Sequence, residues 1–192
     1  MTRVLVTGFG PFGTVSVNPS EQVVRALATE SPDGWRRVVT AVLETAYDVA
    51  GRRVRELLLA ERPDVCLLLG VAPGAGTLRL ETIARNRAAS PSPDVAGCVR
   101  EGLDAIPDGP PAYQATLPVD RLRERLERTG LPVVLSDDAG GYVCNHAFYI
   151  ASHTAAGTGA TACGFLHVPD DWPQDRLLLA VRTCLDAIAG DG

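Results

Sequence analysis

The run VCLLLG, residues 65–70, is apolar up to its closing glycine and shows no alternation of polar and apolar positions. A strand with one wet face alternates, so an unbroken apolar run bounded by turn signals reads as a strand covered on both faces. A strand of that kind needs a layer of helix on each side, which makes the chain an α/β protein with this run near the middle of its sheet.

The flanking sequence agrees. Arg3 to Thr7 is a first strand, and NPSEQVVRAL then carries Asn18 as N-cap, Pro19 at the first helical position and Glu21 three residues after the cap, predicting a helix from about Pro19 to Ala28. A strand from about Arg37 to Leu43 leads to a helix with Tyr47, Ala50, Val54, Leu57 and Leu58 at helical spacing, ended by Pro63. From Val71 to Tyr113 small and turn-forming residues dominate, and only TLRLETIAR alternates enough for a strand or hairpin. The alternating order then returns as helix Val119 to Thr129, strand Val133 to Ser136, helix from about Cys144 to Ala155, strand Thr161 to Val168 and helix Gln174 to Ile188. The expected fold class is α/β, a twisted and mainly parallel sheet with helices on both faces, in one domain over residues 1–192.

With 46% hydrophobic and 21% charged residues the composition is that of a globular protein. A net charge of −5, and no basic cluster beyond DRLRERLER, where acids alternate with arginines, argue against a nucleic-acid partner. The N-terminal apolar run breaks at Gly8, too short for a membrane span or secretory segment, so a cytoplasmic location is expected. Five scattered cysteines without a CxxC pair give no metal or disulfide framework; Cys66, Cys163 and Cys184 lie in apolar runs and read as buried hydrophobes. No cofactor is expected.

TGFGPFG formally matches a dinucleotide fingerprint at Gly8, Gly10 and Gly13, with Glu44 as a candidate ribose-binding acid. In that motif the helix begins within the glycines, whereas here Pro11 intervenes and the helix signals wait until Asn18. Phe9 and Phe12, two of only four phenylalanines, are open to two readings: a plug under the loop, or an apolar wall for a small ligand at the carboxyl end of the first strand.

GGYVCNHAFY places Cys144 at or just before a helix start, where free amides and the positive dipole end favour a thiolate and offer donors to an oxyanion. A nucleophile needs a base, and the choices are His146, His153 and His167. His146 is two residues on and points elsewhere; His153 is about two and a half turns away. His167 closes the strand ACGFLH, at the edge to which strand Val133 to Ser136 is expected to deliver the Gly140-Gly141 turn. The group orienting its imidazole stays open at this level, with Glu81, Asp170 and Asp171 as candidates.

The segments LVTGFGPFG with NPSEQVV, LLLGVAPG with LETIARN, DGPPAYQATLPV, SDDAGGYVCNHAFY and GFLHVP resemble, in order and spacing, those of pyroglutamyl peptidase type I, a family of cytosolic cysteine peptidases that remove N-terminal pyroglutamate. The resemblance implies a phosphorylase/hydrolase-like fold, a homodimer or homotetramer, Cys144 as nucleophile, His167 as general base and Glu81 as orienting acid. It implies a small peptide or N-acyl amide substrate, held in a pocket expected from Phe9, Phe12, Val71, Tyr142 and Val143. The chain departs from the family pattern at GVAPGA, where a Gln becomes Val71 and an Arg becomes Ala75, at Thr82, and at SPSPD, where another arginine is missing. Arg79, Arg85 and Arg87 are the candidates to replace those cations. Two other readings stand beside hydrolysis of a pyroglutamyl bond: the same three residues acting on a different N-acyl amide, and a silent binding protein that keeps the fold.

Overall fold

The computed structural model describes residues 2–29, 36–159 and 161–189. In chain order the elements are β1 (Thr2–Phe9), α1 (Pro19–Ala28), β2 (Arg36–Leu43), α2 (Tyr47–Glu61), β3 (Val65–Ala72), β4 (Leu78–Glu81), β5 (Ile83–Arg85), β6 (Ala88–Ser90), β7 (Arg100–Leu103), β8 (Ala112–Gln114), α3 (Val119–Arg128), β9 (Val133–Ser136), α4 (Val143–Thr158), β10 (Ala162–Pro169) and α5 (Gln174–Ala189). The main sheet has the order β2-β1-β3-β10-β4-β9, and β3, carrying the unbroken apolar run, lies inside it. Its pairings are parallel except for β10 with β4.

Each face of the sheet carries its own apolar core. Val4, Val6, Leu67, Leu69, Leu166 and Val168 point to the layer formed by α1, α3 and α5. Leu5, Cys66, Leu68, Cys163 and Phe165, the alternate positions of the same strands, meet α2 and α4. Removing a buried Val, Leu or Phe from water stabilises by about 1.5–3 kcal/mol each, so the two cores supply the drive that holds the layers together. Three cysteines are part of them: Cys66, Cys163 and Cys184 are buried free thiols, as expected.

Local signals worked where the chain obeys local chemistry. Asn18 caps α1, accepting from Ser20 N at 3.0 Å, with Pro19 at the first position. Glu21 does not close a capping box; its carboxylate pairs with Arg25 one turn on, at 2.7 Å. α2 stops at Arg62, which adopts a left-handed conformation immediately before Pro63.

Two expectations are corrected by long-range pairing. TLRLETIAR is neither one strand nor a hairpin: β4 joins the main sheet, whereas β5 leaves it to pair with β8. Thr82 is the branch point, its N–H donating to Ser136 O and its carbonyl accepting from Ala115 N. β9 is parallel to β4 and therefore runs opposite to β10, so Ser136 lies level with Phe165 and not beyond His167. The chain must come back across the sheet face through residues 137–142 before α4 begins.

Candidate active site

The return of the chain explains both glycines of the 140–141 turn. Gly140 has φ +82°, a left-handed conformation that side chains resist. At Gly141 a Cβ would stand 2.0 Å from the carbonyl oxygen of Ala89, whose own N–H donates to Gly141 O at 2.8 Å. The turn is thus clamped against the β6 backbone, and α4 starts directly after it with Tyr142 as N-cap and no side chain satisfying the first amides. Cys144 enters the first turn of α4, one residue later than the helix start at Val143.

Its sulfur lies over the sheet face and not beyond its edge. Gly70 of β3 leaves the room: a Cβ there would be 2.9 Å from Cys144 Sγ and 2.7 Å from the Phe165 ring. Gly70 is the register partner of His167 on β10, so the imidazole leaves the same face of the sheet. The Phe165 ring packs against that imidazole with centroids 4.6 Å apart.

Of the three acids left open by spacing, Glu81 is the one that meets His167. Its Oε1 is 2.7 Å from His167 Nδ1, and the carboxylate is completely buried. That contact occupies Nδ1 and leaves Nε2 as the nitrogen available to the pocket. Asp170 instead accepts from Gly74 N at 2.9 Å, pinning the loop after β3. The two remaining histidines are engaged elsewhere: His146 is buried against Gly51 and Tyr47, and His153 Nδ1 is 2.8 Å from the Tyr113 hydroxyl.

The Cys144 thiol does not follow the helix-start expectation. Burial pushes it up to about 12, the Glu81 carboxylate adds to this, and only the Cys144 amide pulls the other way. Desolvation outweighs the dipole because the sulfur rests in the apolar layer between Gly70 and Phe165. Burial and the Glu81 charge thus both favour the neutral form of the Cys144 thiol.

Cys144 and His167 open on one pocket of about 200 Å³, also lined by Phe9, Phe12, Asn18, Thr45, Val71, Pro73, Ala139 and Tyr142. Four of the five expected binding residues are there. The fifth, Val143, is fully buried in the core under α4, because the first residue of the helix turns its side chain away from the face that carries Cys144. Phe9 is a core residue that also lines this pocket. Phe12 and Tyr142 pack at 6.0 Å, and the Tyr142 hydroxyl donates to Pro93 O.

Asn18, Thr45, Pro73 and Ala139 escaped sequence reasoning. Asn18 was read only as a helix cap, yet its Nδ2 also donates to Gly10 O at 2.9 Å, and Thr45 Oγ1 donates to the same carbonyl at 3.0 Å. The glycine loop is thereby fastened to α1 and to the end of β2. The helix after the loop begins at Pro19 and not within the glycines, and Glu44 is exposed. A Cβ on Gly8 would approach Ser20 O to 2.5 Å, so this glycine serves close packing of strand and helix.

None of the candidate replacement arginines lines the pocket. Arg85 donates to Asp137 O and pairs with its carboxylate, Arg87 is exposed, and Arg79 stands beside Glu81. The pocket wall accordingly holds no Arg, Lys, Asp or Glu side chain.

A thiol, an imidazole and a buried carboxylate gathered on one face of an α/β sheet make up the side-chain inventory of a cysteine hydrolase. The sequence profile of the pyroglutamyl peptidase family matches residues 2–177. Pyrrolidone-carboxylate peptidase of Streptomyces coelicolor is 38% identical over 92% of this chain and 81% of its own length. The enzyme of the same name from Oceanobacillus iheyensis is 36% identical over 88% of this chain and 84% of its own. A crystal structure of pyrrolidone carboxyl peptidase from the hyperthermophile Pyrococcus furiosus superposes with a TM-score of 0.95 at 29% identity, covering 98% of this chain and 99% of that one. The chain belongs to the pyroglutamyl peptidase family.

Proposed function

We propose that this protein is a cysteine-type omega peptidase that removes an N-terminal pyroglutamyl residue, with Cys144 as nucleophile, His167 as general base and Glu81 as the acid that orients it. The observation that carries this reading is the 2.7 Å contact between His167 Nδ1 and Glu81 Oε1, made by an imidazole that shares its pocket with Cys144. A base whose far nitrogen is fixed by a buried carboxylate presents the other nitrogen in one tautomer and one direction.

Burial and the Glu81 charge favour the neutral thiol, and in this reading attack and proton transfer go together: Cys144 Sγ bonds to the substrate carbonyl carbon as its proton passes to His167 Nε2. The carbonyl oxygen, now negative, faces the uncapped amides at the start of α4, where the helix dipole favours an anion. Collapse of the tetrahedral species expels the peptide amine, which takes the proton from His167. Water, deprotonated by the same imidazole, then releases pyroglutamate and regenerates the thiol.

The pocket suits the acyl group. A five-membered lactam is small and uncharged, and Phe9, Phe12, Val71 and Tyr142 offer it apolar walls. Thr45, whose hydroxyl proton is committed to Gly10 O, keeps only acceptor capacity, which matches a lactam N–H. The substrate is a small peptide. Five free cysteines support a cytoplasmic location, and no described helix is long and apolar enough to cross a membrane. The family resemblance supports a homodimer or homotetramer.

One observation favours a second reading, in which the same three residues cleave a different small N-acyl amide: no arginine reaches the pocket, where family motifs carry several. Release of aminomethylcoumarin from its pyroglutamyl amide by the wild type and by Cys144→Ala, under reducing conditions, separates the two. Turnover lost in Cys144→Ala is the expected result. Absence of wild-type turnover, with Cys144 still alkylated by iodoacetamide, would turn the assignment to the other acyl group.

A further inference from the structure

Arg79 and Glu81 are alternate residues of β4, so their side chains leave the same face of the strand. The Arg79 guanidinium lies beside the carboxylate that holds His167, with Nε 3.4 Å from Glu81 Oε1. Its Nη2 donates to Ser136 Oγ at 2.7 Å and to Asp138 O at 3.1 Å. Ser136 ends β9, and Asp138 belongs to the returning segment whose glycine turn leads into Cys144. One side chain thus connects the acid to the approach of the nucleophile, without lining the substrate pocket.

The electrostatics give that position a purpose. Glu81 is completely buried, and its Oε2 has no hydrogen-bond partner. A buried carboxylate in that condition is costly unless a cation stands close by. Its charge also opposes formation of the Cys144 thiolate. The charged and titratable groups around this cluster come from several elements: Arg79 and Glu81 from β4, His167 from β10, Tyr142 at the start of α4, and Arg85 of β5, which is taken by Asp137. Among the described residues Arg79 is the permanent cation within 4 Å of Glu81.

We propose that Arg79 is a positioning residue for the hydrolytic site: a counter-ion that offsets the Glu81 charge beside His167 and ties β4 to the segment carrying Cys144. This rests on the assignment of Cys144, His167 and Glu81 to the chemistry. Arg79 acts through Glu81 and touches neither the substrate nor the sulfur.

The test compares Arg79→Gln and Arg79→Lys with the wild type in two assays. The first is the pH dependence of Cys144 alkylation by iodoacetamide, read peptide by peptide by mass spectrometry so that Cys98 is counted separately. Loss of the counter-ion leaves the Glu81 charge unopposed, so in Arg79→Gln the alkylation profile, read at about pH 7–9 and well below its midpoint, is displaced to higher pH by about one unit, the lower end of the effect of a close charge because Arg79 is partly exposed. Below the midpoint that is about a tenfold slower reaction at fixed pH. The second assay is turnover of the pyroglutamyl amide, where kcat falls comparably, KM stays within about twofold, and Arg79→Lys recovers most of both effects. A folded Arg79→Gln whose alkylation profile superimposes on the wild type overturns the proposal, as does a raised KM with unchanged kcat, which would make Arg79 a substrate contact. If Arg79→Gln does not fold, Arg79→Met takes its place in the same assay: slower alkylation supports the counter-ion role, and a profile that superimposes on the wild type overturns it. Alkylation needs no substrate, so failure of the pyroglutamyl assay in the wild type would overturn the substrate assignment while leaving Arg79 to be judged by the first assay.

Discussion

Gly70 and Cys144, one in the middle of the sheet and the other at the start of a helix above it, share a single volume: a Cβ on Gly70 would stand 2.9 Å from the sulfur. The Phe165 ring, 2.7 Å from the same point, blocks the other way out. Gly70→Ala is therefore expected to lower kcat/KM by at least about tenfold, since a displacement of the order of an ångström misaligns a nucleophile, and to destabilise the fold by about 1–3 kcal/mol through overpacking. Turnover together with a thermal melt checks it. A variant as active as the wild type would show that the sulfur does not need this space.

Glu81→Gln keeps a hydrogen-bonding oxygen near His167 Nδ1 but removes the charge. A nearby negative charge raises a thiol, so its removal lowers the pH at which Cys144 ionises, opposite in sign to the effect expected of Arg79→Gln. Alkylation of Cys144 is expected to begin at lower pH while kcat falls by about 10²-fold or more, because the imidazole loses its charged anchor. Faster alkylation with slower turnover is the diagnostic pair; alkylation moving to higher pH would contradict the electrostatic account.

The outcome of the sequence reading divides along a physical line. α1 was legible to the residue because Asn18, Pro19 and the apolar spacing act within one turn, and β9 likewise, since turn residues bound a short apolar run. Cys144 and His167 could be located because each sits at the junction of two readable elements. The direction of β9 in the sheet was not legible, since it depends on pairing with β4 across more than fifty residues of chain. For the same reason TLRLETIAR looked continuous: its division at Thr82 is enforced by partners from Ser136 and Ala115. The surroundings of the Cys144 thiol were not legible, because a helix start is visible in sequence whereas desolvation between Gly70 and Phe165 is a property of the packed layers. Asn18 and Thr45 were missed as pocket residues because their partner, the Gly10 carbonyl, is backbone and carries no sequence signature.

The pocket wall assigns different weights to the two parts of Tyr142. Its ring packs on Phe12 and Tyr47, with centroids 6.0 and 5.7 Å away, and its hydroxyl makes one bond to Pro93 O. Tyr142→Phe keeps the wall and gives up a hydrogen bond worth about 1 kcal/mol, so KM is expected to stay within about fivefold. Tyr142→Ala opens the wall and should raise KM by about tenfold or more, with a smaller change in kcat. Steady-state kinetics on the pyroglutamyl amide distinguish them, and equal effects of both variants would shift the contribution from ring to hydroxyl.

His146 predicts an acid limit to stability that is independent of catalysis. The ring is buried edge-on to Tyr47, its Nδ1 has no partner, and burial, reinforced by Arg100, pulls its pKa from 6.5 down to about 4. The unfolded chain therefore binds a proton between pH 6.5 and 4 that the folded protein refuses, and folding stability falls as pH drops through that window. A depression of this size corresponds to on the order of 3 kcal/mol, all of it present above pH 6.5 and lost by about pH 4. Urea unfolding at pH 7 and at pH 5 is expected to show the wild type losing more stability than His146→Leu, which fills similar volume and cannot titrate. If the two proteins lose stability equally between those pH values, the acid sensitivity belongs to other groups and His146 is protonated without penalty in the folded state.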